Sequence, residues 1–351
     1  MSADQEALTT LVRARELVMA PEHRAARFEV DLALGELYGI TGRLDEGRML
    51  LEAMLPEVRE AKNPLVLART LGQLGRFAMW KGDGSTAIRY QEEALPLTRA
   101  LGDESALVFI LRQMGNVLME DRGKAQPLLE ESLAIAQRIG DRTGESQAMN
   151  SLGNLMSCSG EPAKAIGWYE RSLQLARELG NRNSESSVTA NIACSLIQMN
   201  EVDRAEGTLR TALKMAEELG DHMSLANTHE TYGWLYVQMH RDEAARPHLD
   251  RSLAHYRAAG VKPPWLLILF AALESRTGRR DRALEWVGLA RSLANANPSQ
   301  VRLFCEMYLP EVQDELPESE VQAAFERGAA LDLDQVLRRA PEEPKEIASA
   351  S

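Results

Sequence analysis

Helix-stopping dipeptides recur along this chain at an almost constant interval. Gly102-Asp103, Gly140-Asp141, Gly180-Asn181 and Gly220-Asp221 are followed by Gly260, with spacings of 38, 40, 40 and 40 residues. A glycine takes the left-handed conformation that closes a helix. The Asp or Asn after it offers a side-chain acceptor to the first free amides of the next. A chain punctuated in this way is divided into units of about 40 residues, each ending in a long helix.

A second series runs inside the units. Small residues stand at Gly35, Gly75, Gly115, Gly153, Ala193, Gly233 and Ala271. Twelve residues after all but the third comes another, at Gly47, Ala87, Ala165, Ala205, Ala245 and Ala283. In the third unit Ala125 follows after ten, which predicts a connecting turn two residues shorter. Small residues at matched positions of consecutive helices let their backbones approach closely. Between the two series lie short turns such as Ser159-Gly160-Glu161-Pro162, and after that turn Ala165, Ile166, Tyr169, Leu173 and Ala176 share one helical face. No alternating strand pattern competes. The expected fold is an all-α, right-handed solenoid of about seven antiparallel helix pairs.

Composition narrows the class of function. The chain has 351 residues and a net charge of −12, which disfavours nucleic acid and anionic membranes as partners. Its first residues lack the basic-then-apolar order of a signal peptide. The longest apolar run, Trp265 to Leu273, is nine residues, against the roughly 20 needed to span a bilayer. Cys158, Cys194 and Cys305 are odd in number and far apart, so no disulfide framework is indicated. A cytoplasmic setting is the expectation.

The units resemble the tetratricopeptide repeat. Leu34-Gly35-x-x-Tyr38 and Tyr232-Gly233-x-x-Tyr236 match its first signature patch, and Ala165 with Tyr169 and Ser172 its second. The units exceed the usual 34 residues, which resembles the long-repeat branch found in kinesin light chains, spindle-orientation adaptors and bacterial regulators. Residues 310 to 340, with Ala323-Ala324-Phe325-Glu326-Arg327-Gly328, look like the closing segment of bacterial signalling ATPases and LuxR-type regulators. The nucleotide-binding Gly-x4-Gly-Lys-Ser/Thr loop of those proteins is not in the sequence, so only their sensor arm is similar. The implied organisation is an N-terminal capping helix over 1–22, seven repeats over 23–298, capping helices over 299–340 and a disordered tail over 341–351.

The resemblance also implies a binding groove lined by the first helix of each pair. Its positions fall on Arg76 and Trp80, Arg112 and Asn116, Asn150 and Asn154, Asn191, and then Glu230, Trp234 and Gln238. Carboxamides both donate and accept, so they suit the N–H and C=O groups of an extended peptide. Tryptophans supply apolar surface and arginines a partner for carboxylates, though not a full carboxylate clamp. For each residue the alternative is an ordinary solvated or packed side chain.

Catalytic chemistry is not indicated. His248 and His255 lie two helical turns apart, about 10 Å of rise and too far for one ion without other ligands. No pair of carboxylates is isolated in an apolar pocket. No cofactor and no metal are expected. The sequence therefore predicts a non-catalytic protein- or peptide-binding scaffold, an adaptor or sensor arm of a bacterial regulatory system. Alternatives are a receptor for a small signalling peptide or other small ligand, and a self-assembling array.

Overall fold

A computed structural model of the protein describes residues 3–261, 263–293, 305 and 318–331, and every regular element among them is helical. After α1 (Ala3–Leu17) the chain forms the pairs α2 (Arg24–Ile40) and α3 (Leu44–Glu60), α4 (Pro64–Trp80) and α5 (Gly84–Leu101), α6 (Glu104–Val117) and α7 (Arg122–Ile139). They are followed by α8 (Arg142–Cys158) and α9 (Pro162–Glu178), α10 (Arg182–Gln198) and α11 (Val202–Leu219), α12 (His222–Gln238) and α13 (Asp242–Ala258). A last pair, α14 (Pro264–Arg276) and α15 (Arg280–Leu293), precedes α16 (Glu318–Ala329). The chain divides into two compact units, Met1–Lys262 with Asn295–Asn297, and Pro263–Ala294 with Pro298–Ser351.

The boundaries follow from the dipeptides. Gly102, Gly140, Gly180 and Gly220 sit at φ of 66°, 73°, 65° and 64°, the left-handed region that costs glycine little. The residue after each caps the next helix. Asp103 accepts from the Ala106 amide at 3.0 Å, Asp141 from Gly144 at 2.8 Å and Asn181 from Ser184 at 3.0 Å. Asp221 accepts from both Met223 and Ser224. Each such cap is worth about 1 kcal/mol.

The third unit is shorter for a different reason than its spacing suggests. Helix α6 has 14 residues where α4 and α8 have 17. Its connection to α7 spans 118–121, which is no shorter than the corresponding 81–83 between α4 and α5. The missing residues come from the end of the helix, which stops early so that Asp121 can cap α7.

Within a pair, the small landmark of the first helix receives one side chain from the second. Gly153 takes the ring of Tyr169 and Gly233 the side chain of Leu249, so closely that a methyl on either glycine would overlap it. Tyr169 and Leu249 are buried as a result. Between pairs, α2, α4, α6, α8, α10 and α12 pack each on the next, while successive second helices have no comparable packing. The first helices thus form the inner layer of the first unit.

That unit also touches itself at long range. Lys81, at the end of α4, donates to the Gly260 carbonyl at 2.8 Å, 179 residues along the chain. The same ammonium lies 2.8 Å from the Asp45 carboxylate on α3. These groups line a cavity of about 400 Å³ together with Arg48, Glu52 and Tyr90.

In the second unit Phe270 stacks on Trp286 at 5.2 Å between centroids. Helices α15 and α16 meet backbone to backbone where Gly288 faces Phe325 and Gly328 faces Glu285. Arg291 lies 4.2 Å from the Phe325 ring centroid, and Arg327 pairs with Glu285 at 3.0 Å. The remainder of the expected capping segment, with Val301, Leu303, Phe304 and Met307, and the 341–351 tail lie outside the described residues.

Gly153→Ala should lower stability by about 1–3 kcal/mol, since the Tyr169 ring has to leave its slot. Gly167→Ala, on the exposed side of α9 with nothing within 4 Å, should instead raise it by about 0.5–1 kcal/mol. Urea unfolding of both variants checks the contrast; equal effects would mean the slot does not set the helix spacing.

Candidate functional site

All ten candidate residues lie on first helices, α4, α6, α8, α10 and α12. They fall into three groups along the inner layer rather than one continuous strip.

The first group is cationic and aromatic. Arg76 lies over Trp80 and Phe109, at 4.9 and 5.6 Å from the ring centroids, and Arg112 is also 5.6 Å from Phe109. One phenyl ring therefore serves two guanidinium groups. Gly39 on α2 makes room for Arg76 and Trp80, because a side chain there would overlap the Arg76 guanidinium and crowd the Trp80 ring. Burial pushes both arginines down to about pKa 10, against which Glu36 raises Arg76; proximity to Arg76 lowers Arg112 further, while Asp141 raises it. Neither has a carboxylate within ion-pair distance among the described residues. Asn116 donates weakly to Gln113 at 3.5 Å, leaving its own oxygen buried and without a partner.

The second group is an amide network that joins two repeats. Asn191 on α10 donates to the side-chain oxygens of Asn150 and Asn154 on α8, at 3.0 and 3.2 Å. Asn154 accepts a second bond from the Tyr169 hydroxyl at 2.7 Å. Nearby, Gln198 donates to the Ser157 hydroxyl at 2.9 Å. Both asparagine oxygens are engaged internally, so the amide nitrogens of Asn150 and Asn154 are the groups left to donate.

The third group is more structural. Glu230 accepts from the Tyr256 hydroxyl at 2.6 Å, and Gln238 donates to the Ile197 carbonyl at 3.3 Å. Trp234 is half-buried against the cluster of Leu196, Leu209 and Leu235. Ile197, on the same helix as Asn191, is buried in that same cluster. Cys194 is held to Thr231 at 3.5 Å, and burial raises its thiol to about 11, well away from a reactive thiolate.

Sequence spacing did not reveal the histidine arrangement. His222 faces His255 with the Nδ1 atoms 2.9 Å apart, and His229 faces His248 at 3.0 Å. The rings of His229 and His255 stack between the two pairs at 6.1 Å. Each pair bridges α12 and α13, at separations of 33 and 19 residues that follow from no single-helix period. Among the described residues no three or more His, Cys, Asp or Glu side chains are grouped to hold a metal ion.

The fold defines a helical-repeat protein whose polar residues of interest line its inner helices. The tetratricopeptide repeat family model matches residues 109–178 and 185–258, the stretch from within α6 to α13, so these segments are tetratricopeptide repeats. Such repeats generally build non-catalytic scaffolds for protein interaction. Among solved structures, a Rap protein complexed with competence and sporulation factor is similar over 96% of this chain and 98% of that chain, at 14% identity and a TM-score of 0.67. The apo form of RapI is similar over 80% of this chain and 99% of its own, at 11% identity and a TM-score of 0.56. A signal transduction ATPase of the STAND type with a tetratricopeptide repeat sensor, from Pyrococcus horikoshii, matches 96% of this chain at 15% identity and a TM-score of 0.50. This chain spans about half of that one, 54%. No curated protein sequence matches significantly. At these identities the likeness is one of fold.

Burial pushes His229 and His248 down to about 4, helped by His248 and then Arg251 at His229 and by Arg251 at His248, and burial lowers His255 as well. Tyr232 stacks on His248 at 4.6 Å and adds no charge. Unfolded histidines titrate near ~6.5, so on acidification protons bind the unfolded chain first. Stability should be full above pH ~6.5 and fall as the pH drops towards 4. The double variant His229→Gln/His248→Gln should show a smaller drop in Tm between pH 7 and pH 5; an unchanged pH slope would contradict the assignment.

Proposed function

We propose that the chain is a protein- or peptide-binding scaffold whose partner lies along the inner layer of first helices, acting as an adaptor or as the sensor arm of a bacterial regulatory system. The observation that carries this is the Asn150–Asn191–Asn154 network. Amides bonded across a repeat boundary are fixed in orientation before a ligand arrives, which reduces the ordering cost of binding. The amide nitrogens of Asn150 and Asn154 are the donors left over, and the two residues lie one helical turn apart, about 6 Å of rise, close to the two-residue repeat of an extended chain. The tetratricopeptide match over these same helices supports the reading.

A second reading is a receptor for a small signalling peptide. It is favoured by the Rap protein complexed with competence and sporulation factor, which this chain resembles over nearly its whole length. The two readings differ in what stabilises the protein. A receptor is stabilised by a short soluble peptide alone, by RT ln(1 + [L]/Kd), whereas an adaptor needs its folded partner.

Ser157→Lys with Gln198→Lys places two long charged side chains beside the amide network. It should weaken partner capture at least about tenfold, equivalent to about 1.4 kcal/mol. Gly167→Lys, on the opposite helix of the α8–α9 pair, should leave capture unchanged. Affinity purification with all three proteins checks this, and retained binding by the folded inner-face variant would refute the location. Thermal-shift screening against short peptides separates adaptor from receptor.

A further inference from the structure

Four of the six histidines in the chain gather where α12 packs against α13, His222 opposite His255 and His229 opposite His248. In each facing pair both rings turn the same atom inward, with the Nδ1 atoms 2.9 and 3.0 Å apart. Between neutral rings a shared proton, Nδ1–H donating to Nδ1, accounts for such a contact. The same convergence of two ring nitrogens is what a metal ion requires.

The two pairs differ in access. His229 is 5% exposed, and Tyr232 stacks on its partner His248 at 4.6 Å, so aromatic packing closes the inner pair. His222 is exposed in the first turn of α12, and its contact with His255 lies at the surface. The His255 ring is steadied from the inner side. There the His229 ring lies nearly parallel to it, with 8° between planes and 6.1 Å between centroids. The outer pair thus combines a side open to solvent with a ring already held in place, which lowers the ordering cost of binding.

The separation of the outer pair is also a chelating bite. A first-row metal ion about 2.0–2.1 Å from each of two nitrogens 2.9 Å apart subtends an angle of about 90°. A tetrahedral ion needs about 109°, and hence nitrogens about 3.3 Å apart. Right angles between neighbouring imidazoles suit the square-planar and tetragonal ions, nickel(II) and copper(II). We infer that His222 and His255 form a surface site for a divalent ion of that class, held by two imidazoles with water completing its coordination. Among the described residues no third His, Cys, Asp or Glu is grouped with them, which leaves the other positions open. Magnesium and calcium, which take oxygen ligands, do not suit this donor set. When both Nδ1 lone pairs turn to the ion, the proton they shared moves to Nε2 of its own ring, so neutral histidines release no net proton. The bound ion fastens the start of α12 to the end of α13. The site is separate from the inner layer proposed for the protein partner.

Calorimetry on the full chain tests the site, using protein without an affinity tag, stripped by a chelator that is then removed. The probes are the chlorides of nickel(II), zinc(II) and magnesium. One equivalent of nickel(II) should bind and raise Tm as its concentration rises, while magnesium gives no signal. His222→Gln and His255→Gln should each weaken nickel(II) at least about tenfold, equivalent to about 1.4 kcal/mol, whereas His248→Gln in the inner pair should retain one-to-one binding. Because His222 is exposed, its replacement should leave the Tm of the metal-free protein unchanged, which separates lost binding from lost folding. The general affinity order does not rank nickel(II) against zinc(II), so the right-angled bite decides, and nickel(II) should bind more tightly. Copper(II) at one equivalent should show two coordinated nitrogens by electron paramagnetic resonance. Failure to bind nickel(II) one-to-one, or equal loss in all three variants, would overturn the site at His222 and His255. Tighter binding of zinc(II) than of nickel(II) would overturn the class of ion.

Discussion

Everything in the first unit depends on one close approach repeated from pair to pair: a small residue on the first helix receiving a single large side chain from the second. Gly153 with Tyr169 and Gly233 with Leu249 are its clearest cases. The slot fixes the distance and register of the two helices. It thereby fixes which face of the first helix points away from its partner. Because the same slot recurs about every 40 residues, the faces left over line up on α4, α6, α8, α10 and α12. The inner layer is therefore a by-product of packing, and its chemistry is free to vary without disturbing the slots.

That freedom shows in how unlike its parts are. Around α8 and α10 the amide groups bind one another and are rigid before any ligand arrives. Around α4 and α6 the polar groups are held by aromatic rings and left chemically unanswered. Around α12 the corresponding residues are drawn into internal bonds with Tyr256 and the Ile197 carbonyl. A single scaffold thus carries a preorganised region, an electrostatically strained region and a largely self-satisfied one.

Much of this architecture was legible in the sequence, because helix ends and slots use residue types that few alternatives replace. Gly-Asp pairs mark the ends through backbone conformation and capping, and the small landmarks mark the slots. Length was less legible. The 38-residue third unit looked like a shortened turn, yet the residues are missing from α6, since a ten-residue spacing between two small residues does not say which side of the connection is short. The site residues were legible as positions and not as states. Nothing local says that Arg112 lacks a carboxylate, or that Trp234 is partly absorbed into the core, because both facts depend on what neighbouring repeats present. The histidine pairs were invisible for the same reason, as each spans two helices.

The contact from Lys81 to the Gly260 carbonyl changes what kind of array this is. In an open stack each repeat answers only to its neighbours, and copies can be gained or lost with a roughly additive effect. Here an element near the start is fastened to one 179 residues later, so the number of intervening helix pairs becomes part of the geometry. Inserting or deleting one 40-residue unit would leave every slot and cap intact and still carry Gly260 out of reach. Copy number, ordinarily the most easily changed property of a repeat protein, is in this unit tied to a single lysine.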